Sequence, residues 1–149
     1  MKYFAYGSNM DQAQMRERCP DSKLIGKAVI NGYKIAFTIF SPKRHCGCAD
    51  ILKSEGERVW GLLYEISDSD LASLDMYEAH PHKYRRFTVD VKDDAGTTYV
   101  AETYEVAAKE GEFIKPSKHY LGIMQQAAKD FDFSTEYILT LSEVPTNDD

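Results

Sequence analysis

No run in this chain approaches the ~18 consecutive apolar residues that carry a helix across a bilayer. The opening segment, Met1-Lys2-Tyr3-Phe4-Ala5-Tyr6, is too short and too polar for a secretory leader. Cysteine is scarce. Cys19, Cys46 and Cys48 make an odd count without the spacing of a disulfide framework, which fits a reducing compartment, so a cytoplasmic protein is expected. Basic charge is in deficit: 18 Lys and Arg face 24 Asp and Glu, a net charge of −6, and a nucleic-acid partner would favour the opposite balance. A small zwitterionic or anionic ligand stays open, because a few local donors suffice for it. Repeats, linkers and low-complexity segments are also missing. What is there is 149 residues, 43% of them hydrophobic and 12% aromatic, enough for a single domain over 1–149 with its own core.

Hydrophobic patterning places the elements. Tyr3-Phe4-Ala5-Tyr6 reads as a short buried strand that stops at the turn residues Gly7-Ser8-Asn9. Asp11 is suited to cap a short helix that runs to Arg18 and ends at Cys19-Pro20. Lys23 to Ile30 and Tyr33 to Phe40 are strand-like, and Asn31-Gly32 between them is a hairpin signal. After a polar loop from Ser41 to Gly47, two more such runs, Ala49 to Lys53 and Arg58 to Ile66, are split by Glu55-Gly56-Glu57. Ser67 to Tyr77 has helical period, with Ser67 as N-cap and acids at Asp68 and Asp70. A hairpin is expected over Tyr84 to Val91 and Thr97 to Val106. Helices are expected from Pro116-Ser117 to about Phe131 and over Thr135 to Glu143. About six strands in hairpin order with helices between them predict an α+β domain on a mixed or barrel-like sheet.

Two places carry chemistry. Gly7 lets the backbone turn sharply, backbone N–H groups in such a turn can converge on an anion, and Ser8 and Asn9 add side-chain donors. An ordinary strand–turn–helix joint has the same tripeptide. The second place is the helix Ser67–Tyr77, whose buried face is set by Leu71 and Leu74. At ~100° per residue, position 78 falls between them, and it is Glu78. Burial and a helix C-terminus both raise a carboxyl pKa and suit it to proton transfer near neutral pH. A salt bridge from Glu78 to Arg85 or Arg86 is the plainer alternative. Asp75 lies on the same side of the helix, nearer its edge.

These pieces occur together in a known family. Tyr3-Phe4-Ala5-Tyr6-Gly7-Ser8-Asn9-Met10 resembles the opening signature of gamma-glutamylcyclotransferases. Gly47-Cys48-Ala49-Asp50-Ile51 and Val59-Trp60-Gly61 are similar to its middle strands, Leu74-Asp75-Met76-Tyr77-Glu78 to its Leu-Asp-x-x-Glu segment, and Pro116-Ser117-Lys118-His119-Tyr120 to its Pro-Ser-x-x-Tyr motif. The resemblance implies a small mixed β-barrel with flanking helices and one cavity. It implies a binding loop of Gly7, Ser8, Asn9 and Met10 preceded by Tyr6, a pocket lined by Tyr84, Tyr104 and Tyr120, and Glu78 as acid/base. The segments His80-Pro81-His82-Lys83 and His45-Cys46-Gly47-Cys48 depart from the family pattern, and the second is expected to border the leaving group.

The implied reaction is intramolecular. The alpha-amino group of a gamma-glutamyl compound attacks its own gamma-carbonyl, 5-oxoproline forms and the amine leaves. No cofactor or metal is required. The implied partner is a small gamma-glutamyl substrate, with neither nucleic acid nor membrane, and a homodimer stays open. Competing readings are a metal site on Glu78, His80 and His82 with Asp75 nearby, or on His45, Cys46 and Cys48; a binding module without turnover; and the same chemistry on a gamma-glutamylamine, glutathione or a gamma-glutamyl-protected metabolite.

Overall fold

The computed structural model describes residues 1–148. Its core is a closed barrel of five strands: β1 (Lys2–Ala5), β2 (Lys23–Ser41), β3 (Cys46–Glu65), β4 (Tyr84–Asp93) and β5 (Thr98–Val106). They run around the barrel in the order β1-β3-β2-β4-β5. Every pairing is antiparallel except the closing one, where β1 meets β5 in parallel through Tyr3 and Glu102. Four helices flank it: α1 (Gln12–Arg18), α2 (Asp68–Tyr77), α3 (Lys118–Asp130) and α4 (Thr135–Ser142). None of the helices among the described residues is long and apolar enough to cross a membrane.

The strand count is one correction to the sequence reading. Asn31-Gly32 does not turn the chain back, and Glu55-Gly56-Glu57 does not split two strands. Both lie inside one long β2–β3 ribbon, whose register passes from Asn31 opposite Arg58 to Tyr33 opposite Lys53. Residues 54–57 therefore bulge opposite Gly32. Gly32 has φ +81° and Gly56 φ +84°, the conformation that glycine adopts without cost and that a hairpin turn and a bulge both demand. The bulge separates the barrel half of the ribbon from an outer half, which ends in a turn at residues 42–45 and overhangs one mouth of the barrel.

Helix ends follow their caps. Asp11 accepts the Ala13 amide at 3.1 Å to start α1. Ser67 and Asp70 form a reciprocal capping box that starts α2. Ser117 accepts the Tyr120 amide at 3.1 Å at the start of α3. The buried side of α3 (Tyr120, Leu121, Met124, Ala127, Ala128) closes the barrel flank with Tyr137 and Leu141 of α4.

One fully buried carboxylate fastens the outer ribbon to the barrel. Asp50 on β3 accepts the Ile51 amide (2.8 Å), the Val106 amide at the end of β5 (2.9 Å) and the Thr38 hydroxyl on β2 (2.8 Å), and it pairs with Lys109 (2.9 Å). Four partners on three segments leave few lone pairs unspent, as a buried charge requires.

Candidate active site

A cavity of about 770 Å³ opens between the Gly7–Asn9 turn, the end of α2 and the ribbon turn. This is the size range of small-molecule sites. Its wall includes Tyr3, Tyr6, Tyr84, Tyr104 and Tyr120 around Glu78.

Glu78 arrives there through the way α2 stops. It is the C-cap of the helix, one residue beyond Tyr77. Ala79 turns left-handed at φ +52°, and the Ala79 and His80 amides bond back to the carbonyls of Met76 (3.1 Å) and Asp75 (2.9 Å). That double bond pattern closes a helix end and normally uses glycine at the left-handed position. Its result is a fixed backbone from which Glu78 enters the cavity. The carboxylate is surrounded by protein yet keeps partial contact with solvent through the cavity mouth. Among the described residues it has neither a hydrogen-bond donor nor a salt-bridge partner. The salt-bridge alternative fails because its proposed partners are engaged elsewhere: Arg85 pairs with Glu105, and Arg86 with Asp75 (3.0 Å) and Glu102 (3.6 Å). Burial pushes the Glu78 pKa up to about 7, against the opposing pull of the Arg18 and Arg44 guanidinium groups.

Residues 8–10 form a single 3₁₀ turn after β1. The Met10 amide is spent on the Gly7 carbonyl at 3.1 Å, and the Asp11 amide on Ser8 at 3.0 Å. The Gly7, Ser8 and Asn9 amides have no protein acceptor among the described residues. Asn9 is buried and held on all sides. It donates to the Tyr3 hydroxyl (2.9 Å) and accepts from Gln14 (2.9 Å) and Arg18 (3.1 Å), so its side chain fixes the turn. Ser8 accepts from the same Gln14 nitrogen at 2.9 Å and keeps its own hydroxyl proton to give. Met10 departs from the implied loop: its side chain is buried in the core, and it is not part of the cavity wall.

The tyrosines are locked by their hydroxyls. Tyr6 donates to the Tyr104 carbonyl (2.6 Å), Tyr104 to Asp75 (2.6 Å) and Tyr84 to the Ala49 carbonyl (2.9 Å). The Ala49 amide donates to the Tyr120 hydroxyl at 2.9 Å. Residue 49 thus fixes two wall tyrosines at once. Tyr120 also explains Gly7, because a Cβ there would stand 3.2 Å from its hydroxyl. Burial raises the pKa of Tyr6, Tyr84, Tyr104 and Tyr120, which therefore stay protonated at neutral pH. His80 is a structural side chain: its Nδ1 accepts the Arg86 amide at 3.1 Å. No three His, Cys, Asp or Glu side chains gather as a metal site among the described residues.

A family model described as gamma-glutamyl cyclotransferase, AIG2-like, matches residues 3–122. The chain belongs to that family. The gamma-glutamylcyclotransferase of Bos taurus is 29% identical over 151 residues, covering 98% of this chain and 79% of the relative. That of Homo sapiens is 30% identical with the same coverage. A solved gamma-glutamyl cyclotransferase superposes with a TM-score of 0.91 at 28% identity, over 99% of this chain and 89% of the other. The closed mixed barrel with its flanking helices is the fold of these cyclotransferases.

Sequence reasoning missed Gln14, Arg18 and Arg44, which join this cyclotransferase cavity from α1 and from the ribbon turn. Arg18 stacks over Tyr77 at 4.5 Å and Arg44 over Tyr120 at 5.3 Å. No periodicity marks them, since they meet only through the fold. Of the His45–Cys48 segment, Cys48 lines the cavity, and burial pushes its thiol up to about 12, so it is not a ready nucleophile.

Tyr120→Phe is expected to lower both activity and stability. The substitution removes the acceptor of the buried Ala49 amide, a loss of about 1–3 kcal/mol. It also removes a hydroxyl from the cavity wall, and kcat/KM is expected to fall about tenfold. Thermal melts and steady-state kinetics on the one variant check both, and an unchanged kcat/KM would leave Tyr120 a core residue only.

Proposed function

We propose that Glu78 is the acid/base with which this enzyme cyclises a gamma-glutamyl amide to 5-oxoproline and frees the amine. The observation that carries the reading is an unpaired carboxylate with a raised pKa, held on a fixed helix end in a tyrosine-lined cavity beside a turn with three unspent amides.

The alpha-amino group of the bound glutamyl head is the nucleophile. In its neutral form the nitrogen attacks the gamma-carbonyl carbon, Glu78 takes the proton that this nitrogen sheds as the new C–N bond forms, and a five-membered ring closes through a tetrahedral oxyanion. Glu78, now protonated, gives its proton to the leaving nitrogen as the original C–N bond breaks. One residue serves both transfers, which needs a pKa close to the working pH. The amides of Gly7, Ser8 and Asn9 receive the alpha-carboxylate or the oxyanion. The tyrosine wall holds the chain in its cyclising conformer, an orientation effect worth up to ~7–11 kcal/mol in favourable intramolecular reactions. The cytoplasmic location expected from cysteine usage belongs with this reading.

The direct test is to incubate the protein with a panel of gamma-glutamyl compounds and measure 5-oxoproline. No release from any of them, by folded protein, would leave a binding module. A pH prediction follows from the same carboxylate. Only ionised Glu78 acts as base, so kcat/KM is expected to fall about tenfold per unit as pH drops below about 7, where its pKa is held. An acid limb near 4.5, the ordinary glutamate value, would mean that Glu78 is not the group being titrated.

A further inference from the structure

We propose that Arg18 is a positioning residue: Asn9 and Tyr77 hold it as a brace between the turn after β1 and the end of α2, close to Glu78 but withheld from pairing with it. This rests on the reading of Glu78 above and extends it to the side chain that sets where Glu78 works.

Arg18 is the last residue of α1. Its backbone is fixed against α2, because its carbonyl accepts the Ser73 hydroxyl at 2.6 Å. The next residue repeats the tie, with the buried Cys19 Sγ 3.6 Å from the Asp70 carbonyl. The side chain then makes two contacts. Nη1 donates to Asn9 Oδ1 at 3.1 Å, and Asn9 is the buried residue that fixes the turn. The guanidinium lies over the Tyr77 ring, 4.5 Å from its centre. Tyr77 is the last residue of α2 and directly precedes Glu78. One side chain therefore spans from the turn with the unspent amides to the residue before the acid/base.

The same two contacts explain why Glu78 has no partner. Arg18 lines the same cavity, and no carboxylate pairs with it among the described residues. A free guanidinium beside a buried carboxylate closes a bidentate pair, and a carboxylate so paired is a weak base. Stacking and a hydrogen bond together fix the plane of an arginine, and here both are spent away from Glu78. Arg18 acts on the carboxyl only through its field, as Arg44 does. The other titratable groups that face Glu78 are Tyr3, Tyr6, Tyr84, Tyr104, Tyr120 and Cys48, all kept protonated at neutral pH by burial. Asp75, one turn back on α2, is paired with Arg86 at 3.0 Å. The charges of Glu17, Lys43 and Lys83, which also line the cavity, are common to every variant below.

The experiment measures kcat, KM and the acid limb of kcat/KM for Arg18→Gln, Tyr77→Leu and the double variant, with the fastest substrate of the gamma-glutamyl panel. The carboxyl carbon-13 signal of Glu78 is titrated in the same proteins without substrate. Arg18→Gln removes both brace and charge. Its kcat is expected to fall about 10- to 100-fold, the scale of a misplacement of about 1 Å, with KM changed by less than about twofold. Loss of the positive charge disfavours the ionised carboxyl, so the limb moves up from about 7. Tyr77→Leu removes the stack and frees the arginine to swing onto Glu78. Its limb is expected to move the other way, down towards the ordinary 4.5, with kcat reduced. The double variant has no arginine to swing, and its limb returns to the Arg18→Gln position. Tyr77 is half-exposed, so its variant tests the proposal even where Arg18→Gln folds poorly.

An Arg18→Gln effect confined to KM would make Arg18 a substrate contact and overturn the proposal. So would a Tyr77→Leu limb at the wild-type position, or a downward shift that survives in the double variant. Lowered melting temperatures with unchanged kinetics and an unchanged Glu78 titration would leave Arg18 a fold residue only. Failure of the wild type to yield 5-oxoproline is a different result: it overturns the cyclotransferase reading, while the Glu78 titrations still decide the brace.

Discussion

Glu78→Gln is expected to bring 5-oxoproline release below detection and, at pH 8, to make the protein more stable than the wild type. The first effect follows from the chemistry, because the amide has the size of the carboxyl but cannot exchange a proton with the substrate amine. Loss of a well-placed general base costs about 10²–10⁴-fold, and here the same residue also serves the leaving group. The second effect follows from burial. The folded state raises the Glu78 pKa from its ordinary 4.5 to about 7, so the folded protein holds this proton more tightly than the unfolded chain does. Below pH 4.5 the group is protonated in both states and costs nothing. Between 4.5 and about 7 a penalty develops, and above that it is complete, roughly 3 kcal/mol at most. Glutamine never carries this charge. The Tm difference between variant and wild type should therefore be near zero at pH 4 and largest at pH 8. A variant that turns over at a tenth of the wild-type rate would remove Glu78 from the mechanism. A Tm difference that does not vary with pH would mean that the carboxylate is not desolvated in the folded protein.

Asp50→Ala is expected to destabilise the protein more than either Tyr120→Phe or Lys109→Met. It leaves the Ile51 and Val106 amides, the Thr38 hydroxyl and the Lys109 ammonium without their common acceptor. Breaking a buried charged network of this kind costs about 3–5 kcal/mol, which in a protein of this length is a fall in Tm of roughly 6–20 °C. Activity is expected to suffer at any temperature, because the neighbouring Ala49 backbone holds Tyr84 and Tyr120 at 2.9 Å each. Lys109→Met is the contrast. It leaves the Asp50 carboxylate its three other donors but no counter-ion, so that variant is expected to lose stability too, about 1–3 kcal/mol, and less than Asp50→Ala. A normal melt for Asp50→Ala would show that the outer ribbon is held without it.

Much of the fold was legible because local chemistry and tertiary structure agree over most of the chain. Asp11, Ser67 and Ser117 cap the helices that they signal. The hairpin of β4 and β5 closes where Asp93 to Gly96 predicts it. The reading failed at Asn31-Gly32, where the signal is a demand for positive φ and says nothing about whether the chain reverses. The candidate site was legible only where its members are close in sequence, as in Gly7-Ser8-Asn9, or lie on a helical stripe, as with Glu78. Gln14, Arg18 and Arg44 converge from α1 and a strand turn, and Asp50 gains its meaning from partners up to 59 residues away. Met10 shows the limit of transfer from a motif, since a residue adjacent to the turn points into the core.

The parallel closure of the barrel has a consequence for how the molecule is made. β1 and the turn after it find their first partner in β3, where Lys2–Ala5 pair with Leu62–Glu65 and the Tyr64 hydroxyl donates to the Asn9 carbonyl at 3.0 Å, but their partners on β5 come later. Tyr3 pairs with Glu102, the Thr103 hydroxyl donates to the Phe4 carbonyl at 2.8 Å, and Tyr6 donates to Tyr104 at 2.6 Å. At about 5–20 residues per second, the segment that carries Gly7, Ser8 and Asn9 waits roughly 5–20 s for β5 to emerge. Contacts of such long sequence separation form slowly even in the finished chain. Until then the cavity lacks the part of its wall that Thr103 and Tyr104 of β5 supply. On the proposed reading of the site, a nascent chain is therefore expected to release no 5-oxoproline until its first strand docks against β5.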